Sequence, residues 1–374
     1  MRRIFPFLLI AALALYYYWR SGTGYSGPTS REPAVTFESV SLDSGRGNLV
    51  AIQPFMYPQD YASAKAFEDK LDHYFRIAQQ RGTFNAKTIV ALPEYVGTWL
   101  VALDEKNSVY SSRSVTEALT SLVLRHPLNF LWHYFLSDEP DRDKAALFRV
   151  KSTEMAEAYQ AVFRSLASQY RVTVVAGSVV LPGPEVVNGQ LRVNRNDRLY
   201  NVSAVFRPDG SIDPMLVKKV FPIVEEQGFV NAGSTDELPV FETPAGRLGV
   251  LVCADSWYPE PYSALKNRGA DLLVVPSYSS PDSLWSTDWK GYNGAPFPAD
   301  VDRSDVGRIS EGEAWKKYAI GKRAAEAGIQ NGINVFLRGS LWDLGSDGQT
   351  LYVRRGVLGE HQAPTGASIV CLWL

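Results

Sequence analysis

The chain is 374 residues long, 45% hydrophobic and 12% aromatic, enough to bury a large core in one big α/β domain or two smaller ones. With 38 Lys+Arg against 40 Asp+Glu the formal net charge is −2, which excludes the basic excess that nucleic-acid binding requires. Two cysteines, Cys253 and Cys371, give no disulfide framework, and four histidines with no H-x-x-x-H or C-x-x-C pair give no transition-metal ligand set.

Taken from the start, Arg2 and Arg3 precede an apolar stretch that ends in Tyr16, Tyr17, Tyr18 and Trp19. A basic start, an apolar run and an aromatic border predict a signal anchor over 1–21. As a helix the run is roughly 24 Å long, and its interfacial aromatics extend it toward a hydrocarbon core of about 30 Å. No A-x-A site follows it, so the expected arrangement is a membrane-anchored protein with its body outside the cytoplasm; a cleaved signal and an exported soluble form are the alternative. The Ser-, Gly-, Thr- and Pro-rich residues 22–46 read as a linker. The folded body is expected over 47–374, with insertions at about 97–150 and 279–310.

Within the body, residues 48–54 form a short apolar strand stopped by Pro54. Tyr61, Ala64, Phe67, Leu71, Tyr74 and Ile77 recur at helical spacing over 60–81. Residues 88–94 are a second buried strand ending in Glu94. In the first insertion, the apolar and aromatic stretch 119–136 carries Pro127 between His126 and His133, which argues against a spanning helix. It suits a helical hairpin that packs inward, acts as a lid or partner surface, or touches a membrane interface. A helix over 152–170 and strands over 172–180 and 199–206 follow, the last closed by Arg207-Pro208-Asp209-Gly210. Asn201-Val202-Ser203 matches a glycosylation acceptor, but inside a strand it reads as chance.

Further on come the paired Lys218 and Lys219, then the run Val250-Leu251-Val252 that ends at Cys253. A helix over 260–268, a strand over 270–277, a helix over 311–327, a strand over 334–340 and a terminal strand holding Cys371 complete the pattern. Strands and helices alternate, and several strands are joined by tight turns, so the fold class is α/β with mixed sheets.

Taken alone, a strand-end glutamate, a lysine and a strand-end cysteine are each ordinary. Their order and context make them informative. Leu92-Pro93-Glu94, then Tyr200-Asn201 through Pro208-Asp209-Gly210 to Lys218, then Cys253-Ala254-Asp255 with Pro259-Glu260, resemble the motifs of the nitrilase, or carbon–nitrogen hydrolase, superfamily. The resemblance implies a four-layer α-β-β-α sandwich, a catalytic Glu-Lys-Cys set and no cofactor or metal. Counted from Lys218, the family spacing K-x-x-L-x-P-x-G-E lands on Glu226; from Lys219 it lands on Gln227. Lys218 is therefore the candidate lysine, although Phe221, Ile223 and Glu225 depart from the family's Leu, Pro and Gly.

The expected set is thus Glu94, Lys218 and Cys253, with Glu226, Ala254, Asp255, Trp257 and Tyr258 as accessory or pocket residues. A thiol with a pKa near 8.5 needs a base or a nearby cation to react at neutral pH, and a carboxylate with an ammonium supplies both. The resemblance implies an amidase that forms a cysteine thioester from a non-peptide or terminal amide, on a small-molecule or lipid-like substrate. Two other readings keep the same scaffold: an N-acyltransferase that hands the acyl group to an amine, some likeness to the catalytic domain of apolipoprotein N-acyltransferase pointing that way, and an inactive nitrilase-like binding protein. Expected partners are the membrane through the N-terminal helix and no nucleic acid; homo-oligomerisation through outer helices stays open.

Overall fold

The residues Leu49, Val50, Ala51 and Ile52 are all fully buried, although alternate side chains of a strand point to opposite faces. Their strand therefore needs cover on both sides. The computed structural model describes residues 33–374 apart from Pro364, together with Tyr16, Tyr25 and Gly27. In chain order the strands of its two main sheets are β1 (Val35–Val40), β2 (Asn48–Gln53), β3 (Thr88–Ala91), β4 (Thr173–Val175), β5 (Val205–Phe206), β6 (Val240–Thr243), β7 (Gly246–Val250), β8 (Leu272–Ser277), β9 (Asn331–Phe336), β10 (Thr350–Arg354), β11 (Val357–His361) and β12 (Ala367–Trp373). The longer helices are α1 (Ala64–Gln80), α2 (Val115–Arg125), α3 (Pro127–Leu136), α4 (Arg142–Tyr170), α5 (Pro259–Asn267), α6 (Glu311–Tyr318) and α7 (Ile320–Glu326).

One six-stranded sheet runs β1-β12-β2-β3-β4-β5 and the other β6-β7-β8-β9-β10-β11. Both mix parallel and antiparallel pairs: β2, β3 and β4 run parallel in the first, and β7, β8 and β9 in the second. Val50, Ile52 and Val90 pack with α1 and α4 residues such as Phe67, Leu71, Tyr159 and Phe163. On the opposite face Leu49, Ala51, Ile89 and Ala91 join Val250, Val274, Ile333 and Val335 of the second sheet. Tyr262 and Leu265 of α5, with Ala314, Trp315 and Ile320 of α6 and α7, lie in that second core. The layers are thus helix, sheet, sheet, helix.

Local chemistry sets the helix starts. Ser63 accepts from the Ala66 N–H, Asp141 from Lys144, and Ser310 forms a capping box with Glu313. Pro127 starts α3, where its missing N–H costs nothing.

Several boundaries differ from the sequence expectation. Val35–Val40, placed in the linker by composition, is β1 and pairs in parallel with β12 from Val35↔Ala367 to Val40↔Leu372. Its partner lies at the other end of the chain, where no local signal reveals it. Helix α4 begins ten residues before the expected 152, at Arg142, because Asp141 caps it there. The strand expected over 172–180 breaks at Gly177, whose φ of +62° turns the chain out of the first sheet. Beyond the break, Val179–Pro182 pairs with Leu199–Ser203, which pairs in turn with Val217–Lys218 in a separate three-stranded sheet. Among the described residues no helix is long and apolar enough to cross a membrane. The anchor expected over 1–21 lies, apart from Tyr16, outside the described residues.

Candidate active site

Glu94 follows β3 at a turn clamped from β4. Leu92 N–H donates to Val175 O at 3.0 Å, Tyr95 N–H to Ser178 Oγ at 2.9 Å, and Gly97 N–H to Ser178 O at 2.9 Å. Tyr95 takes φ +63°, and a Cβ at Gly177 would stand 2.1 Å from Pro93 O, so the two turns approach at backbone contact distance. The outcome is a glutamate carboxyl aimed inward and only 2% exposed.

Cys253 lies three residues past the end of β7 and opens a short 3-10 turn, Cys253–Trp257. Its φ of +50° is a left-handed conformation that a non-glycine residue adopts at a cost of order 1–3 kcal/mol. Asp255, fully buried, holds the turn: its Oδ2 accepts from Val252 N–H at 3.1 Å, and its Oδ1 accepts from Val220 N–H at 2.9 Å and Phe221 N–H at 2.8 Å. One carboxyl group thus ties the cysteine turn to the lysine loop. Ser256 Oγ donates to Cys253 O at 2.7 Å, and Cys253 Sγ lies 3.6 Å from Tyr278 O.

The lysine that meets Glu94 is Lys219, and this corrects the expectation of Lys218. Lys219 Nζ sits 2.9 Å from Glu94 Oε1 and 2.5 Å from Glu226 Oε2, with the lysine 1% exposed. Lys218 is half-buried and points away, its ammonium 4.4 Å from the centre of the Tyr200 ring. The cause is strand alternation. Val217 and Lys219 share the inward face and Lys218 the outward one, while Lys219 N–H donates to Asn201 O at 2.9 Å. The lysine-to-glutamate loop is accordingly one residue shorter than the resemblance counts.

Asn201, from the Tyr200-Asn201 motif, completes the cluster. Its Nδ2 donates to Glu94 Oε1 at 2.9 Å and to Glu226 Oε1 at 3.0 Å. Tyr95 OH donates to Glu226 Oε1 at 2.5 Å, and Ile223 N–H to Glu226 Oε2 at 2.9 Å. Glu226 is therefore saturated with donors, whereas Glu94 lies beside the Cys253 thiol and each group shifts the other's charge.

The charges follow from this wiring. Burial favours the neutral amine of Lys219, but the Glu226 and Glu94 carboxylates outweigh it and hold the ammonium well above its usual range. Burial also opposes the Glu226 charge, and Lys219 with the Tyr95 and Ile223 donors more than offsets it, leaving that carboxylate below its ordinary pKa. Glu94 goes the other way: burial raises it, and the Glu226 charge adds to the rise against the pull of Lys219. Burial and then the Glu94 charge lift the Cys253 thiol well above its normal value. The resting site is a neutral thiol beside a carboxylate that readily takes a proton, backed by a fixed ammonium.

The remaining candidates are placed differently. Ala254 and Asp255 lie in the cysteine turn. Trp257 is occupied by packing, stacked on Trp289 at 5.9 Å and edge-on to Trp315 at 4.8 Å. Tyr258 stacks on Phe221 at 3.9 Å and donates to Ala295 O at 3.3 Å, so the 279–310 segment closes over the lysine loop there. Gln227 Nε2 reinforces that closure by donating to Gly294 O at 2.6 Å. Cys371 is remote from the cluster, on β12, and accepts from Asn48 Nδ2 at 3.1 Å.

Residues 57–291 match the family model for carbon–nitrogen hydrolase. A probable hydrolase of Bacillus subtilis is 27% identical over 124 residues, covering 33% of this chain and 21% of that protein. An N-carbamoylputrescine amidase of Solanum tuberosum is 32% identical over 126 residues, 30% of this chain and 41% of that protein. The chain thus spans less than half the length of these curated relatives. Among solved structures, a double mutant of the amidase from Nesterenkonia sp. AN1 in complex with acrylamide superposes with a TM-score of 0.53 at 16% identity, over 89% of this chain and 93% of that one. A mutant of the same amidase, with the acetamide moiety of fluoroacetamide added at its active-site cysteine, gives 0.53 at 17% identity over 93% of both chains. At such identity the likeness is one of fold.

Proposed function

From the premise that this chain belongs to the carbon–nitrogen hydrolase family, we propose that it is an amidase-type enzyme that cleaves a non-peptide or terminal amide through a thioester on Cys253. The observation that carries this reading is the buried Glu94, which sits beside the Cys253 thiol while its Oε1 is bound by Lys219. Glu94 takes the thiol proton as sulfur attacks the carbonyl carbon. The Lys219 ammonium and the Ala254 N–H hold the oxyanion that forms, each such donor contributing about 3–4 kcal/mol. Glu94 then gives its proton to the leaving nitrogen, ammonia or an amine departs, and the thioester remains. Water, deprotonated by Glu94, attacks that thioester, and the thiol is regenerated as the acid leaves. The apolar run over 4–19 tethers the enzyme to a membrane, with the body outside the cytoplasm.

Transfer of the acyl group to an amine is the second reading, favoured by the apolar face that α3 exposes. Intact-mass measurement after incubation with fluoroacetamide and a library of simple and fatty amides tests both. An adduct on the wild type, acyl from the amides and carbamoylmethyl from fluoroacetamide with loss of fluoride, that vanishes in Cys253→Ala is expected. An adduct that persists in that variant, or that maps to Cys371, overturns the assignment. Resolution of the thioester by water at the full rate with no amine present rejects transfer.

A further inference from the structure

Helix α3 is amphipathic in the inverse sense. Its Phe130 and His133 face inward, while Leu128, Leu131, Trp132, Phe135 and Leu136 form an outward stripe at three- and four-residue spacing. Leu128 is 77% exposed, Phe135 72% and Trp132 65%, and Leu124, near the end of α2, is 57% exposed. A helix in water ordinarily turns its charged face outward, and α3 has no Lys, Arg, Asp or Glu to present. A contiguous apolar patch of this kind marks a contact surface.

The chain itself says which contact. Tyr25 packs edge-on against Tyr110 at 5.2 Å, in the small cluster that also contains Ala118 of α2, so the N-terminal segment arrives at the foot of this hairpin. Only five residues separate Tyr25 from Trp19, the border of the apolar run, a reach of roughly 20 Å at full extension. Residues 4–19 carry no charge and no polar face, so they make a poor cover for a patch that would leave their own outer side in water. They suit a bilayer, and a bilayer entered by them lies within that reach of the hairpin.

We propose that the α2–α3 hairpin is an interfacial membrane contact, which lays Leu128, Trp132 and Phe135 into the surface of a lipid bilayer beside the point where the N-terminal segment enters it. The proposal rests on the tether reading above. The contact is apolar rather than electrostatic, because Arg125 and His126 are already bound to Glu105, at 3.2 and 2.9 Å. Zwitterionic lipid therefore suffices, and salt has little effect. The hairpin packs on α4, whose N-terminal residues touch the loop that follows Glu226: Asp141 N–H donates to Gly228 O at 2.8 Å, and Phe148 stacks on Phe229 at 5.6 Å. The contact thereby holds the reactive cluster close to the lipid surface.

The test uses the full chain carrying Cys253→Ala and Leu128→Cys, with an environment-sensitive NBD label at 128 and buried Cys371 left unlabelled. On phosphatidylcholine vesicles the emission is expected to rise several-fold, shift to the blue and be quenched by lipid-borne nitroxide, equally at low and high salt. A label at Val357, 69% exposed on β11, is expected to stay unchanged. Adding Trp132→Glu and Phe135→Glu is expected to remove the response while the protein still floats with vesicles. Flotation with the 128 label still in water overturns the hairpin contact and leaves the tether standing. Failure to float overturns both. A label already shielded without vesicles also overturns the proposal; exposure on dilution then indicates a second copy of the chain, and no change on dilution indicates its own apolar segment.

Discussion

Two adjacent lysines with opposite surroundings offer a sharp test of the cluster. Removing Lys219 leaves Glu94 and Glu226 buried without their cation, which costs about 3–5 kcal/mol in systems where one partner of a buried pair is deleted. Lys219→Met is therefore expected to lower the melting temperature strongly and to abolish thioester formation. Lys218→Met removes only a ring contact on Tyr200, worth about 1 kcal/mol or less, and should leave turnover unchanged. Loss of activity in the Lys218 variant with a normal Lys219 variant would return the role to Lys218. Glu94 gives a second test, through pH. Only its ionised form accepts the thiol proton, so kcat/KM should fall as pH drops through the Glu94 pKa. Burial and Glu226 raise that pKa, so the acid limb should be centred above 4.5, and no falling limb from Lys219 is expected below 10.5. An acid limb at or below 4.5 contradicts the assignment of Glu94 as the base.

At the scale of elements, Asp255 joins two loops that chain order keeps apart, and its carboxyl group does so with three backbone donors. Asp255→Ala strands buried N–H groups, at about 1–3 kcal/mol each, and is expected to unfold the site. Asp255→Asn keeps one acceptor oxygen and most of the volume; it should fold, with kcat lowered at least tenfold and KM little changed. Equal kcat in Asp255→Asn would show that the tie does not position the nucleophile. The same elements show how far the sequence can be read. Glu94 and Cys253 were legible through the order and context of the motifs that carry them, the buried run that each ends being ordinary by itself. Lys219 was not, because a register counted to Glu226 assumes a loop length, whereas the alternation of Val217 inward and Lys218 outward assigns the face directly. Asn201 stood within the Tyr200-Asn201 motif but carried no role of its own there, and Tyr95 offered no signal beyond its adjacency to Glu94. Strand β1 was hidden by the composition around it and by a partner more than 300 residues away. Helix α3 was the reverse case: its apolar stretch was plain, but only the fold reveals that the stripe faces outward.

For the molecule as a whole, the decisive spacing is that between the two sheets. Glu94 comes three residues after β3 and Cys253 three residues after β7, so the sheets carry the base and the nucleophile separately. Small residues at the contact, Ala51 on β2 and Ala91 on β3, are fully buried and let the sheets close. Enlarging one of them should therefore do two things at once. Ala51→Leu overpacks the interior at a cost of about 1–3 kcal/mol, or several degrees of melting temperature. It also forces the two sheets apart, moving Cys253 from Glu94, and misplacement of about 1 Å lowers rate by about a hundredfold. Ala78 of α1 is equally buried but faces the helix side of the first sheet, outside the intersheet core. Ala78→Leu should cost comparable stability and leave kcat close to wild type at a temperature where both variants are folded. Thermal melts paired with kcat measurements separate the two effects. If both variants lose kcat only in proportion to the folded fraction, sheet spacing does not set the catalytic geometry; a selective loss in Ala51→Leu means that the sandwich itself holds the site in register.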